Sequence, residues 1–165
     1  MKYIQKKLKN NVDLIINLQG DMPNIDPNTI SKLEKLMRSN QCDIGTLASP
    51  IKDNNEIVNE NVVKVQVDEK LKDHSFLQAK DFFRKKKDLN KDTVYHHLGL
   101  YIFTNDALTR YVKFKRSKLE IERNLEQMRA MENNMVINVG MTHSMPLSVD
   151  TEEDLRKVKK EMEKL

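Results

Sequence analysis

The apolar run Leu14-Ile15-Ile16-Asn17-Leu18 stops at Gln19-Gly20-Asp21, and that stop constrains the fold more than any other feature. A run of this kind, over Asp13 to Leu18, reads as a buried strand, nearly continuously apolar as parallel strands are. A strand ending in Gly-Asp sets a carboxylate at the rim of a sheet, where open α/β sheets bind their ligands. A second acidic signature, Val149-Asp150-Thr151-Glu152-Glu153-Asp154-Leu155, stands where a strand-and-loop region gives way to a helix. Two carboxylates brought together from such positions can hold Mg²⁺ against a nucleotide phosphate. Singly, each has a plainer reading: Asp21 as a turn residue, Asp150 as part of a helix cap.

The rest of the chain alternates strands with helices, which argues for an α/β domain. Lys2 to Lys9 reads as the tail of a surface helix. Asp26-Pro27 opens a helix, with Asp as N-cap and Pro at the first helical position. Ile30, Leu33, Leu36 and Met37 give it an apolar stripe. Asp43 to Ser49, Asn61 to Asp68, Tyr95 to Phe103 and Met135 to Val139 read as strands. Asp53 to Asn61 is polar and loop-like. Glu69 to Asp92 is rich in charge and poor in pattern, so it reads as a long loop or flap. A short helix is expected from Asn105 to Val112. The capping box Ser117-Lys118-Leu119-Glu120 starts a stronger one through Met131. Thr151-Glu152-Glu153-Asp154 begins a terminal helix whose acidic first turn suits its dipole.

Composition excludes several classes. With 165 residues the chain is long enough for one domain with its own core. The single cysteine, Cys42, rules out a disulfide framework and reads as a small core residue. No apolar stretch is long enough to cross a membrane, and the N-terminus lacks a signal-peptide pattern, so the cytoplasm is the default location. The net charge of +4 includes one dense run, Arg84-Lys85-Lys86-Lys87. No aromatics are interleaved with it, so a solvated loop is the better reading than a nucleic-acid patch. The four glycines (Gly20, Gly45, Gly99 and Gly140) form no Gly-rich phosphate loop.

Two further segments carry chemistry. In Tyr95-His96-His97-Leu98-Gly99-Leu100-Tyr101, strand alternation puts His97, Gly99 and Tyr101 on one face. That face leaves room for a polar ligand; the plainer reading is a satisfied core histidine. His96 points to the opposite face, so the pair cannot readily chelate one ion. Glu122 and Glu126 stand one turn apart in the expected long helix, a repulsive pair better explained if one of them faces a ligand.

Taken in order, Ile16-Asn17-Leu18-Gln19-Gly20-Asp21, Asn61-Val62-Val63-Lys64-Val65, His97-Leu98-Gly99-Leu100-Tyr101, Leu125-Glu126-Gln127-Met128-Arg129 and Val149 to Leu155 span nearly the whole chain. In these segments the chain resembles the 3-deoxy-manno-octulosonate cytidylyltransferases, the CMP-Kdo synthetases. The resemblance implies a Rossmann-like nucleotidyltransferase sheet flanked by helices, forming one domain over residues 1–165. It implies transfer of CMP from CTP to Kdo, with release of pyrophosphate, for lipopolysaccharide biosynthesis. By that mapping Asp21 and Asp150 are the catalytic Mg²⁺ carboxylates. Gln19, Gly20 and Asp21 bind the nucleotide, while His97, Tyr101, Glu126 and Gln127 bind the sugar. The family also implies a homodimer, with no nucleic acid or membrane as partner.

The same resemblance marks departures. The family begins with a strand and a basic phosphate-binding loop of the type Arg-Leu-Pro-x-Lys-Pro, and this sequence has neither. The expected fold is therefore truncated at the N-terminus, with an exposed sheet edge. The family's Phe-Ser-Arg followed by Ile-Pro stands here as Phe76-Leu77-Gln78 followed by Asp81-Phe82, and a Glu frequent in the helix after Ser117 is Arg123. The alternative to an active transferase is an inactive remnant, or the C-terminal half of a split enzyme with a separately encoded N-terminal fragment as partner. A sialic-acid transferase is the third reading, and the His97 and Glu126-Gln127 segments speak against it.

Overall fold

The computed structural model describes residues 12–86, 90–149 and 151–163. The helix expected over Lys2 to Lys9, Lys87 of the basic run, and Asp150 lie outside them. The elements, in chain order, are β1 (Leu14–Asn17), α1 (Pro27–Ser39), β2 (Ile44–Pro50), α2 (Asn54–Val58), β3 (Lys64–Gln66), β4 (Phe76–Gln78) and β5 (Asp81–Phe83). After a 3₁₀ turn (Lys91–Thr93) come β6 (Val94–Thr104), α3 (Asn105–Tyr111), α4 (Lys118–Arg123), α5 (Gln127–Glu132), β7 (Ile137–Met141) and α6 (Glu152–Met162).

The described strands form one sheet in the order β4-β7-β2-β6-β3-β5, with β1 also on β6. Only β2 and β7 run parallel; the other pairings are antiparallel. The long strand β6 is the spine. Along one side it carries β2. Along the other it carries β3 on residues 94–96 and β1 on residues 101–104. Beyond the His97 amide, which donates to the Val63 carbonyl at 2.9 Å, residues 98–100 face a fork where β3 has ended and β1 has not begun. On the β2 side the register shifts between Thr46 and Leu47, which pair with Tyr101 and Leu98. Such a bulge bends a strand and re-aims its side chains.

Alternation along β6 splits the core in two. Leu98, Leu100 and Ile102 pack with Leu33 and Met37 of α1 on one face. Tyr95 and Phe103 pack with Leu108, Met128 and Ala130 of the later helices on the other. The result is a sheet flanked by helices, the Rossmann-like layering that the resemblance implies. α1 forms as its sequence dictates: the Asp26 side chain accepts from the Asn28 amide at 2.8 Å, and Pro27 occupies the first turn. α6 starts at Thr151 with a full capping box to Asp154.

Several expectations are corrected. β1 is not a buried parallel strand. It is an antiparallel edge strand with Ile16 43% exposed, followed by Leu18 at 47%. Its only described partner is β6. The loop over Asp53 to Asn61 contains α2, built on a capping box between Asp53 and Glu56. The flap over Glu69 to Asp92 contains β4 and β5, whose three residues each are too few to show a period. The long helix from Ser117 is two helices, broken at Asn124, which adopts the left-handed conformation at φ 52°. Glu122 and Glu126 are therefore not on one helix, and the repulsion argument for Glu126 falls.

Candidate active site in the fork of the sheet

The fork beside residues 98–100 of β6 opens into a cleft of about 550 Å³. Its walls follow from the topology. The end of β1 delivers Gln19, Asp21 and Met22; the approach to β3 delivers Asn61, Val62 and Val63; and β6 delivers His96 to Gly99. The strand Asp43 to Ser49 expected from sequence also contributes, through Ser49 and the neighbouring Pro50 and Lys52.

The two acidic signatures meet here. The Val149 amide donates to the Asp21 carbonyl at 2.9 Å, and the Leu147 amide donates to Asn24 Oδ1 at 3.0 Å. These bonds tie the segment before α6 to the turn after β1. Asp21 is exposed and lines the cleft, and Asp154 lines it as well. Asp154 is also engaged in capping α6 through Thr151. Asp150 lies outside the described residues. Gly20 stands exposed in the turn and lines neither cavity of the site.

His97 is buried on the floor of the fork. Thr46 Oγ1 lies 2.8 Å from the Leu100 carbonyl, 3.0 Å from the Leu98 carbonyl and 2.9 Å from His97 Nε2. The hydroxyl has one proton, and carbonyls can only accept, so that proton goes to a carbonyl. Thr46 then accepts from His97 Nε2–H, which leaves Nδ1 as the acceptor nitrogen. Burial, with His96 alongside, pulls the His97 pKa down to about 3, so the ring is neutral at neutral pH. His96 turns the other way, as alternation requires, and bonds Glu56 Oε2 at 2.8 Å. Glu56 also closes the cap of α2, so this short helix anchors the opposite rim of the cleft.

The remaining predicted residues gather in a second, smaller cavity of about 120 Å³. Tyr101, Glu126 and Gln127 line it, together with Asn17 and Gln19. Gln19 thus borders both spaces. A row of rings runs along this face: Phe82 to His97 at 5.0 Å, His97 to Tyr101 at 5.4 Å, Tyr101 to Phe103 at 6.4 Å and Phe103 to Tyr111 at 5.7 Å. Burial raises the pKa of Tyr101, and pushes that of Tyr111 up to about 12. Tyr111 donates to the Glu126 carbonyl at 3.0 Å and is covered by the Arg129 guanidinium, 4.9 Å from its ring centre. Arg129 is in turn held by Glu120, which is 1% exposed; Arg129 Nε donates to Glu120 Oε2 at 2.7 Å, and a second bond reaches Oε1. The Arg129 hydrogen bonds bring the Glu120 pKa down to about 2. This buried pair sets the turn on which Glu126 and Gln127 are carried.

Sequence reasoning missed Thr46, Glu56 and Glu120 as parts of this arrangement. Glu56 was legible, since Asp53-Asn54-Asn55-Glu56 has the spacing of a capping box. Thr46 was not, because its role depends on a contact 51 residues away.

Comparison with known proteins fits this geometry. The family model described as Cytidylyltransferase matches residues 1–137. The chain belongs to the cytidylyltransferase family. Within that family it is 40% identical over 146 residues to the 3-deoxy-manno-octulosonate cytidylyltransferase of Bartonella bacilliformis, covering 88% of this chain and 59% of the relative. It is 41% identical over 144 residues to that of Brucella ovis, covering 87% and 57%. The chain therefore spans less than two thirds of the curated relatives it matches. Among solved structures it is similar to a CMP:2-keto-3-deoxy-manno-octonic acid synthetase complexed with CTP. The TM-score is 0.85 and the identity 28%, covering 98% of this chain and 66% of that one. A 4-diphosphocytidyl-2C-methyl-D-erythritol synthase from Anaerococcus prevotii, at 14% identity and TM-score 0.60, shares the fold. No helix among the described residues of this cytidylyltransferase-family chain is long and apolar enough to cross a membrane.

Proposed function

We propose that this chain carries the sugar-binding and metal-binding part of a transferase that moves CMP from CTP to Kdo. The observation that carries the reading is the union of the two acidic segments at the mouth of the cleft, with a neutral histidine on the floor and the Tyr101, Glu126 and Gln127 cavity beyond. The named relatives act on this sugar acid by their descriptions, and the similar solved structure holds CTP. The site would lie in the cytoplasm, where CTP is available.

The residues suit their roles on chemical grounds. Mg²⁺ is usually held by one or two carboxylates, with phosphate oxygens and water completing its shell. An exposed Asp21 carboxylate fits that donor set, and Asp150 is proposed as its partner. When bound, the ion would neutralise charge on the phosphates during transfer. Gln19 offers an amide to the nucleotide at the point where both cavities meet. His97 Nδ1 can accept a hydrogen bond from a sugar hydroxyl, and Tyr101 can donate one. Glu126 and Gln127 supply further polar contacts to a polyhydroxylated acid. Holding the anomeric hydroxyl in line with the α-phosphate would then supply most of the acceleration.

One observation favours a second reading. The outer edge of β1 has no described partner and exposes Ile16, with Leu18 exposed beyond the strand. A segment outside this sequence, on the same polypeptide or a separate one, would pair with that edge and complete the nucleotide site. A second copy of the chain, in a homodimer, is the other partner the family suggests.

The test is pyrophosphate release by the purified chain with Mg²⁺, CTP and Kdo, alongside calorimetric titration with each substrate. Release that is abolished in Asp21→Asn supports the transferase reading. Kdo binding without release supports the need for a completing segment. Neither binding nor release overturns both.

A further inference from the structure

Gly99 lines the cleft beside Gln19, the residue that borders both cavities. The cleft is lined by Gln19, His97 and Gly99, and the smaller cavity by Gln19 and Tyr101. Alternation along β6 puts residue 99 on the same face as His97 and Tyr101, between them. It also lies in the fork, where neither β1 nor β3 pairs with it.

A glycine in a strand interior weakens the strand, because it has no side chain to pack and loses more backbone entropy on folding. Two ordinary reasons to keep one are missing here. Gly99 does not have a positive φ, so its backbone conformation is open to any residue. A Cβ built on it would meet only Gln19 Cγ, at 4.0 Å, so packing does not exclude a side chain either. Gly45 and Gly140 make the contrast plain. Added Cβ atoms there would strike Met37 Sδ at 2.4 Å and Leu36 Cδ1 at 2.6 Å. The space at Gly99 serves neither the backbone nor the core.

We propose that the missing side chain of Gly99 is the passage between the two cavities, so that Gly99 is a specificity-determining residue for the polyhydroxylated acid. The inference rests on the transfer reading above. In that reaction a sugar hydroxyl must come within about 3–3.5 Å of a phosphorus, so the sugar pocket and the nucleotide cleft must share continuous space. A methyl group at position 99 stands in that space, beside Gln19, and a branched side chain fills it. Of the proposed nucleotide contacts only Gln19 borders the new side chain, and at 4.0 Å that is an ordinary contact that leaves the Asp21 end of the cleft untouched.

The experiment is calorimetric titration of the full chain and of Gly99→Ala and Gly99→Val with Kdo and, separately, with Mg²⁺ and CTP, together with thermal melts. Both variants are expected to melt at or slightly above the parent, because a compatible side chain restricts the unfolded chain. CTP affinity is expected to stay within about 3-fold. Kdo affinity is expected to fall about 10-fold in Gly99→Ala and more than about 100-fold in Gly99→Val, each factor of ten being about 1.4 kcal/mol. Unchanged Kdo affinity in both variants overturns the passage while leaving the transfer reading intact. A steep loss of stability in Gly99→Ala also overturns it, since the glycine would then be structural. A parent chain that binds neither substrate overturns the transfer reading and this inference with it.

Discussion

Arg123 Nη1 lies 2.5 Å from Asp81 Oδ1 and 2.8 Å from the Phe82 carbonyl. Both Arg123 and Asp81 are positions at which this chain departs from the pattern it resembles. They stand 42 residues apart and meet across α4 and β5. The two side chains form a half-buried ion pair, and Lys86 Nζ donates to the other Asp81 oxygen at 2.9 Å. The pair also anchors the short strand β5 to α4, in a region where three residues of pairing could not hold by themselves.

Restoring one partner alone should therefore hurt. Arg123→Glu would put two carboxylates together and leave the Phe82 carbonyl without its donor. The expected loss is about 1–2 kcal/mol, from a lost charged hydrogen bond and a new repulsion. A double-mutant cycle with Asp81→Ala and Arg123→Ala, read by urea denaturation, should give a favourable coupling of about 0.5–1.5 kcal/mol. A coupling of zero would mean that the two changes are unrelated.

Glu120 presents a larger effect. It is buried, and its charge is balanced chiefly by Arg129. Glu120→Gln keeps the shape and removes the charge, leaving Arg129 poorly compensated, at a cost of about 3 kcal/mol. Since the folded pKa is held near 2, below the unfolded value, the stabilisation is present above about pH 4.5. It is lost as pH falls towards 2. Denaturation at pH 7 and pH 3 should show the parent and Glu120→Gln converging at the acid end.

His97 should dominate the pH dependence nearer neutrality. Its folded pKa, about 3, lies below the ordinary 6.5, so the unfolded chain binds the proton first. Stability is full above pH 6.5 and falls as pH drops from 6.5 towards 3, by up to about 1.4 kcal/mol per unit. His97→Phe should flatten that slope. A variant with the same slope as the parent between pH 6 and pH 4 would assign the dependence to another group.

The edge of β1 carries a solubility consequence. An exposed apolar strand edge is a template for pairing with another chain. Ile16→Lys should reduce self-association in sedimentation or light scattering, with a change in stability of less than about 0.5 kcal/mol. If the same variant also lost binding of a completing segment, the edge would be confirmed as that segment's docking strand.

The sequence by itself determined the features that depend on neighbouring residues. Asp26-Pro27 and Thr151-Glu152-Glu153-Asp154 start α1 and α6 because caps act over three or four positions. The long alternation from Tyr95 to Phe103 shows β6, and it correctly separates His96 from His97. The motif pattern pointed to Gln19, Asp21 and His97, which line the cleft, and to Tyr101, Glu126 and Gln127, which line the smaller cavity with Gln19. What only the tertiary structure decided are features set by distant partners. β1 became an antiparallel edge strand because β6 offered it a place, although its composition reads as buried. β4 and β5 exist because β7 and β3 supply their hydrogen bonds, in segments too short to carry a period. The helix after Ser117 breaks at Asn124, in a stretch whose local pattern predicts continuation. The fork that opens the cleft belongs to no single segment: it is the gap left on β6 between the pairings of β3 and β1. Local chemistry acts over a few residues and can be read along the chain, whereas a cavity is defined by where chain segments do not meet, and that is settled only when all of them have packed.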